Sequence, residues 1–216
     1  MLNELSRNVR RFPVTTGVII FSSLIGIAQL GTAYFYGMNV HNRIFVLTPQ
    51  EPLYIAPWFL SIFSHGGVLH LVINMFILSM FGIIVEDSFS PKKTVLFFVS
   101  AGLISSLAQV LAVFFFNPSA ISTGIVGSSG FISGCVGYAA VKMPNVKILL
   151  FFIIPMKMYK GVGLFILLSV VVLVKFGIGA FGFAHTAHLS GLLFGIFIGA
   201  LTKIAFDDMK SASKLS

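Results

Sequence analysis

The sequence contains few charged residues. They make up 9% of its 216 positions, whereas soluble globular proteins carry roughly 25%. So few charges cannot cover the surface of a compact water-soluble domain, and this class of protein is excluded. Apolar residues account for 57% of the chain, and the mean hydropathy is +1.01. The composition therefore predicts an integral membrane protein with several spans.

Cysteine and clustered basic charge are also scarce. The single cysteine, Cys135, excludes an intramolecular disulfide. The formal net charge is +8, but the lysines and arginines lie between apolar segments and form no basic face, which argues against nucleic-acid binding. Arg7, Arg10 and Arg11 precede an apolar run longer than the core of a cleaved signal peptide, so we expect a retained first helix.

Long apolar stretches define the predicted spans, since a transmembrane helix needs about 20 such residues. Six stretches qualify, namely 16–37, 67–85, 93–116, 125–142, 159–176 and 183–204. The prediction is an all-α bundle of six transmembrane helices over residues 16–205, with an N-terminal segment 1–15 and a C-terminal tail 206–216. Two shorter patches remain. Ile55–Ser64 is predicted to be interfacial or re-entrant, and Val146–Pro155 is too short to span.

The positions of lysine and arginine predict the orientation, because such residues are concentrated in cytoplasmic loops. If the N-terminus is cytoplasmic, only Arg43 and Lys175 lie outside. The inside segments then contain Arg7, Arg10, Arg11, Lys92, Lys93, Lys142, Lys147, Lys157, Lys160, Lys203, Lys210 and Lys214. This asymmetry predicts that both termini are cytoplasmic and that the second, fourth and sixth helices each begin near the outer surface.

Polar residues occur at the start of these three helices, where burial in a membrane makes them costly and indicates function. The second helix carries His70 and Asn74, which are four residues apart and therefore share one face. The fourth begins with Gly127-Ser128-Ser129-Gly130, and the sixth carries His185 and His188. At about 1.5 Å per residue, all three groups lie roughly 5–12 Å below the outer surface.

Glycine spacing predicts which of these helices are in contact. Gly191, Gly195 and Gly199 follow one another at intervals of four residues in the sixth helix, and Gly130 and Gly134 do so in the fourth. Such spacing allows two membrane helices to approach backbone to backbone. We therefore expect the fourth and sixth helices to touch, which would bring Ser129 near His188.

The chemistry that fits this group is nucleophilic acyl transfer. A serine hydroxyl attacks a carbonyl when a neutral imidazole removes its proton, so Ser129 is the candidate nucleophile and His188 the candidate base. His70 and Asn74 would donate hydrogen bonds to the oxyanion that forms. Ser128 is a competing nucleophile by adjacency. Because the acidic residues lie elsewhere in the sequence, we expect a Ser–His dyad rather than a triad.

These motifs resemble those of the rhomboid intramembrane serine proteases. The resemblance covers essentially residues 12–205 in order, spacing and helix number, through His65-x4-His70-x3-Asn74, Gly127-Ser128-Ser129-Gly130 and Ala187-His188-x2-Gly191-x3-Gly195. It implies Ser129 as nucleophile, His188 as base, and an oxyanion site formed by the Ser129 amide with the His70 and Asn74 side chains. It further implies single-span membrane proteins as substrates, cut in or near the outer part of their transmembrane helix without a metal or other cofactor.

The sequence departs from the family pattern at two places. Many members carry a Trp-Arg pair in the first loop, but here Trp58 is followed by Phe59. Many also have an aromatic residue four positions after the nucleophile, where this chain has Ser133. Another group must then orient His188. Tyr138 is an aromatic candidate, although nothing in the sequence places it beside His188.

Two other functions are compatible with parts of the pattern. A catalytically silent rhomboid-like escort would typically lack the serine or the base histidine, both of which this chain keeps. A proton channel would use His70, His185 and His188 as a relay, but it would favour polar groups near the bilayer midplane. We expect structural roles for His65 and His185. The compact form predicts a prokaryotic plasma membrane, and the apolar helix 159–176 is the predicted movable helix beside the substrate's access route.

Overall fold

The described residues form a bundle of helices and a small β-hairpin. The computed structural model describes residues 11–150, 153–178 and 184–212, so Arg7, Arg10 and Lys214 lie outside the described residues. The helices are α1 (Pro13–Phe45), α2 (Ile55–Leu60), α3 (Val68–Ser88), α4 (Pro91–Phe116), α5 (Ser129–Lys142), α6 (Met158–Phe176) and α7 (His185–Ala212). The two strands are β1 (Lys147–Leu150) and β2 (Ile154–Lys157).

Five helices of the described chain, α1, α3, α4, α6 and α7, are long and apolar enough to cross a membrane. The predicted span 125–142 differs from the expectation, because α5 begins only at Ser129 and has 14 residues. At 1.5 Å per residue such a helix is about 21 Å long, which is shorter than a hydrocarbon core. Most of its residues are buried among its neighbours, so α5 needs no full-length lipid-facing surface.

The short apolar patches adopt two different structures. Part of the first-loop patch forms α2, a single short helix. The second patch forms the antiparallel pair of β1 and β2, in which Lys147 lies opposite Lys157. The all-α prediction is therefore wrong at this hairpin, where the apolar run is too short to cross the membrane and instead folds back on itself outside the spans.

Helix α1 is longer than the predicted span 16–37. It changes direction at Gly37, whose φ of 84° is in the region that favours glycine, and it continues to Phe45. Its buried face carries the polar side chains of Thr15, Ser22 and Gln29, which follow one another at intervals of seven residues. These polar groups therefore face the protein, while many apolar side chains of α1, such as Ile20, Leu24 and Ile27, are exposed.

The contact between α5 and α7 is a backbone-to-backbone packing. A Cβ atom added at Gly191 would overlap the carbonyl oxygen of Gly130, and one added at Gly195 would overlap that of Gly134. Gly137 faces the carbonyl of Leu192 in the same way. The contact predicted from the glycine spacing is thus confirmed, and it fixes the separation of the two helix axes.

Glu86, near the end of α3, has a role that the sequence did not suggest. Its carboxylate is buried and accepts hydrogen bonds from the Val14 and Thr15 amides, both at 2.7 Å. These amides belong to the first turn of α1, where no carbonyl of the same helix can pair with them. Glu86 therefore fastens the start of α1 to the end of α3.

Candidate active site

Ser129 and His188 form the centre of the candidate site. His188 Nε2 lies 2.7 Å from Ser129 Oγ, which is hydrogen-bond distance. Ser129 is the first residue of α5 and is half-buried, and His188 lies in the first turn of α7 and is buried. The close packing of α5 against α7 therefore places a hydroxyl next to an imidazole, an arrangement that can activate the hydroxyl as a nucleophile.

Ser128 occupies a different environment from its neighbour. Its side chain is fully buried, and its Oγ lies 2.9 Å from Nε2 of His65. His65 precedes the membrane-spanning residues of α3, and burial, with a smaller contribution from nearby His70, lowers its pKa to about 4. The Ser128 hydroxyl is thus held inside the protein by a neutral ring, whereas the Ser129 hydroxyl faces the space beside His188.

The ring of His70 lies beside the nucleophile. A Cβ atom added to Gly127 would lie 3.3 Å from Ser129 Oγ and 3.4 Å from His70 Nε2. Both atoms therefore border the same small space. The Gly66 amide donates to His70 Nδ1 at 3.3 Å. Because Nδ1 accepts this hydrogen bond, a neutral His70 ring carries its proton on Nε2, which is the nitrogen nearest the nucleophile. His70 can therefore donate a hydrogen bond into this space.

Gly127 makes this arrangement sterically possible. Its φ of 131° is a backbone conformation that residues other than glycine rarely adopt. A side chain at this position would also displace the His70 ring. Its amide donates to the Ser61 carbonyl at 2.9 Å, which fastens the approach to α5 against the end of the first loop. The turn at Gly127 thus exposes the Ser129 hydroxyl at the very start of a helix.

Two further hydrogen-bond donors lie on the helices that carry His70 and Ser129. Asn74 is buried one helical turn beyond His70, and its Nδ2 has no hydrogen-bond partner in the described part of the chain. The Ser129 amide belongs to the first turn of α5, whose amides have no carbonyl of their own helix to bond. The positive end of the α5 dipole adds to the attraction for a negatively charged oxygen there.

Gln29 is a residue of the site region that the sequence analysis missed. It lies on the buried polar face of α1, accepts from the His65 amide at 2.9 Å and donates to the His65 carbonyl at 3.2 Å. A carboxamide in the middle of an apolar span is the signal that could have revealed it, because such groups are costly without a partner. Through His65 and Ser128, α1 is connected to the start of α5.

The sequence analysis also missed Gln109 on α4, which is another carboxamide within an apolar span. Its Oε1 accepts from the Ala187 amide at 3.3 Å, in the first turn of α7 and directly before His188. His185 is the first residue of α7 and is half-buried. The Ser105 hydroxyl on α4 donates to its own helix and lies against the Gly130 and Gly191 backbones. Helix α4 therefore contacts both α5 and α7 where these two helices meet.

The remaining sequence candidates lie elsewhere. The Tyr138 ring packs against Phe89 and Phe97, with ring centroids 5.4 and 5.8 Å away, in the buried core nine residues beyond Ser129. Trp58, in α2, donates from Nε1 to the Pro52 carbonyl at 2.9 Å. Over the described residues, no group of three or more His, Cys, Asp or Glu side chains could hold a metal ion.

Comparison with known proteins gives the same family as the motifs. The family model of the rhomboid domain matches residues 53–204. The mitochondrial presenilin-associated rhomboid-like proteins of Rattus norvegicus and Homo sapiens are each 28% identical over 160 residues, covering 72% of this chain and 40% of theirs. The rhomboid protease GluP of Bacillus subtilis (strain 168) is 29% identical over 137 residues, covering 63% of this chain and 24% of its own. The match thus spans well under half of each relative.

Proposed function

The chain belongs to the rhomboid family, and we propose that it is an intramembrane serine endopeptidase acting through a Ser129–His188 dyad. The observation that carries this proposal is the 2.7 Å separation of His188 Nε2 from Ser129 Oγ at a helix start. It is supported by the different environment of Ser128, whose hydroxyl is turned into the protein toward His65. The relative named as a rhomboid protease supports the same activity.

The proposed reaction uses these residues in the following order. Ser129 Oγ attacks the carbonyl carbon of the scissile peptide bond while His188 Nε2 takes its proton. The carbonyl oxygen becomes an oxyanion, which receives hydrogen bonds from His70 Nε2, Asn74 Nδ2 and the Ser129 amide. Collapse of this intermediate breaks the C–N bond, and His188 returns the proton to the leaving amine. Water, activated by His188, then hydrolyses the acyl-enzyme and regenerates the Ser129 hydroxyl.

The bilayer arrangement is part of the proposal. Both termini lie in the cytoplasm, and α5, together with the residues before it, crosses the membrane in addition to the five long apolar helices, which makes six passages. Arg43 and Lys175 are then the outer lysine and arginine residues, as positively charged loops prefer the inside. The protease domain covers residues 16–205, between the segments 1–15 and 206–216. The site lies near the outer surface, so products are released to the non-cytoplasmic side.

The substrates are single-span membrane proteins that reach the site from the bilayer. Helix α6 is the candidate movable helix beside this route, since its buried residues are few: Met158, Gly161, Val162 and Ser169. A peptide bond inside a helix is shielded from attack, so substrates should contain helix-weakening residues near the cut. The chain is a multi-pass membrane protein. A prokaryotic plasma membrane stays a prediction, since the matched relatives include mitochondrial and bacterial proteins.

The test is cleavage of a model single-span substrate by purified protein in liposomes. Wild type and Ser128→Ala should cut, whereas Ser129→Ala and His188→Ala should lose the activity. Ser128→Ala is the matched control, because it removes a neighbouring hydroxyl that is bonded to His65. If Ser129→Ala still cuts, the assignment of the nucleophile is wrong. If all four folded proteins are inactive on several substrates, the catalytically silent escort is the better description.

A further inference from the structure

A polar cavity lies in the first loop, apart from the candidate active site. It has a volume of about 280 Å³. One wall consists of Asn39, Asn42 and Arg43, which follow Gly37 in the last turns of α1 and lie on one helical face by their spacing of three and four residues. The other wall includes Glu51 and Tyr54 of the loop between α1 and α2. The cavity is therefore formed by two separate segments of the chain.

The cavity contains one charge of each sign. In the described part of the chain, the charged side chains at the end where α3, α5 and α7 begin are Arg43, Glu51 and Lys175, and two of these three line this cavity. No described residue forms a hydrogen bond or ion pair with the Glu51 carboxylate. Arg43 donates to the Tyr54 hydroxyl and retains further N–H groups, since a guanidinium has five.

The surroundings indicate the depth of the cavity in the bilayer. Leu53 and Ile55, next to its lining residues, expose 91% and 73% of their surface. Such exposure of adjacent apolar side chains is favourable at a membrane surface and costly in water. Trp58 and Tyr54 are aromatic residues of the kind enriched at membrane–water interfaces. The cavity therefore lies at the level of the lipid headgroups, with apolar side chains reaching toward the acyl chains.

We propose that this cavity binds the headgroup of a zwitterionic phospholipid of the phosphoethanolamine class. Arg43, Asn39 and Asn42 bind the phosphate oxygens, since a guanidinium and amide N–H groups are phosphate donors. The Glu51 carboxylate binds the primary ammonium group. This proposal does not depend on the protease activity, because none of these residues belongs to the candidate active site.

The structure also distinguishes ethanolamine from choline. A trimethylammonium group cannot donate a hydrogen bond and is bound through aromatic faces. The Tyr54 ring is the aromatic ring that lines the cavity, and the Arg43 guanidinium already lies 4.7 Å from its centroid. A primary ammonium, in contrast, can donate hydrogen bonds to Glu51. An anionic glycerol headgroup would leave the Glu51 charge without a partner.

An apolar groove on the other side of α2 suits the acyl chains of the same lipid. It is lined by Ile55, Trp58 and Phe59 of α2 and by Leu103, Ile104 and Leu107 of α4. Tyr54 and Pro57 line the polar cavity, so the short helix α2 separates a polar compartment from an apolar one. A lipid has the same two kinds of surface, which is why we assign the headgroup to a lipid rather than to a soluble molecule.

The test is native mass spectrometry of the delipidated protein in detergent, with added phosphatidylethanolamine, phosphatidylcholine or phosphatidylglycerol of identical acyl chains. We expect wild type to bind phosphatidylethanolamine about tenfold more tightly than the other two lipids. These two cannot form the charge-assisted hydrogen bond between the primary ammonium group and Glu51. Glu51→Gln should remove this advantage, whereas Arg43→Gln should weaken the binding of all three lipids, because each of them carries the phosphate. Glu51→Gln should in addition raise the binding of phosphatidylglycerol. The matched control is Lys175→Gln, which removes the other cation at this end and should bind as wild type does.

Three outcomes would overturn the proposal. The first is equal binding of phosphatidylethanolamine by wild type and Glu51→Gln, and the second is equal binding of the choline and ethanolamine lipids by wild type. The third is that soluble phosphoethanolamine binds as tightly as the lipid, which would make the ligand a free molecule. If Arg43→Gln does not fold because it loses the hydrogen bond to the Tyr54 hydroxyl, Asn39→Ala tests the phosphate contact instead. Its side chain bonds no described residue, so it should fold normally and bind phosphatidylethanolamine about threefold more weakly.

Discussion

The carboxamide of Gln29 forms two hydrogen bonds with the backbone of His65, accepting from its amide at 2.9 Å and donating to its carbonyl at 3.2 Å. The His65 side chain in turn lies 2.9 Å from the Ser128 hydroxyl, one residue before the candidate nucleophile. A single side chain in the middle of α1 therefore satisfies both backbone groups of the residue that holds the start of α5. This connection is the reason to treat α1 as part of the site's support.

Replacing Gln29 by leucine should reduce both stability and activity. The variant keeps the approximate volume but leaves the His65 amide and carbonyl buried without partners, at about 1–3 kcal/mol for each group. Thermal unfolding in detergent measures the first effect, and the rate of Ser129 labelling by a fluorophosphonate measures the second. Thr32→Val is the control, since that exposed hydroxyl bonds only the Ala28 carbonyl of its own helix. Equal unfolding temperatures for the two variants would contradict this role of Gln29.

Removal of either proposed oxyanion donor, His70 or Asn74, should lower kcat. His70→Ala and Asn74→Ala each delete one proposed donor to the oxyanion, and one such donor contributes about 10²–10³ in rate. Because the interaction forms only in the transition state, KM should change little. Steady-state cleavage of the model substrate separates the two constants. The control is Ser79→Ala on the same helix, whose hydroxyl bonds the nearby Phe76 carbonyl. A rise in KM at constant kcat would instead indicate that these side chains bind substrate.

Alanine at Gly191 should prevent the correct packing of α5 against α7. The added methyl group would overlap the Gly130 carbonyl, so the helices must separate and His188 must move away from Ser129. Loss of fluorophosphonate labelling and a lower unfolding temperature are expected together. Gly163→Ala in α6 is the matched control, because nothing lies within 4 Å of its added Cβ. It should be neutral or stabilise the protein by up to about 1 kcal/mol, since alanine is the better helix former.

Glu86→Gln should destabilise the protein more than Asp87→Asn. The glutamine can accept only one of the two hydrogen bonds from the Val14 and Thr15 amides, which leaves a buried amide unpaired at about 1–3 kcal/mol. Asp87 forms an exposed pair with Arg11 at 3.4 Å, and such pairs contribute only about 0–1 kcal/mol. Unfolding of both variants in parallel provides the comparison. The same loss for both variants would mean that Glu86 acts merely as a surface charge.

Loosening α6 should accelerate cleavage if this helix moves to admit substrate. Phe165 is a partly buried residue that packs against the cluster containing Met158, Val162 and Leu192. Phe165→Ala should therefore raise kcat/KM for a membrane-embedded substrate. Leu167→Ala is the control, because that side chain is mostly exposed to the lipid. A slower reaction of Phe165→Ala, with Leu167→Ala unchanged, would assign α6 a fixed role instead.

The sequence allowed the contacts of the site to be predicted better than the lengths of its helices. Small residues at intervals of four have one main use in membrane helices, so Gly130, Gly134, Gly191 and Gly195 were sufficient to predict the α5–α7 contact. Hydropathy did not reveal that α5 starts only at Ser129, because apolar residues before a helix have the same hydropathy as those inside it. The hairpin after α5 was missed for a similar reason, since an apolar run does not specify a backbone conformation.

The supporting polar residues could not be assigned from the sequence, although each was visible in it. Gln29, Glu86 and Gln109 act through hydrogen bonds to backbone groups 36 to 78 positions away in the chain. Backbone amide and carbonyl groups occur in nearly every residue, so the sequence does not reveal which of them is the partner. The interval of seven residues from Ser22 to Gln29 was the available signal, since it marks one buried face of α1.

The glycines between α5 and α7 restrict how this protein can diverge during evolution. At Gly82, an added Cβ would meet the side chains of Leu78 and Thr15, and a smaller residue at one of those positions could compensate. At Gly191 and Gly195, the opposing atoms are the backbone carbonyl oxygens of Gly130 and Gly134, which every amino acid carries. No second substitution can remove a backbone atom, so lineages can alter these two positions only by giving up the geometry they maintain.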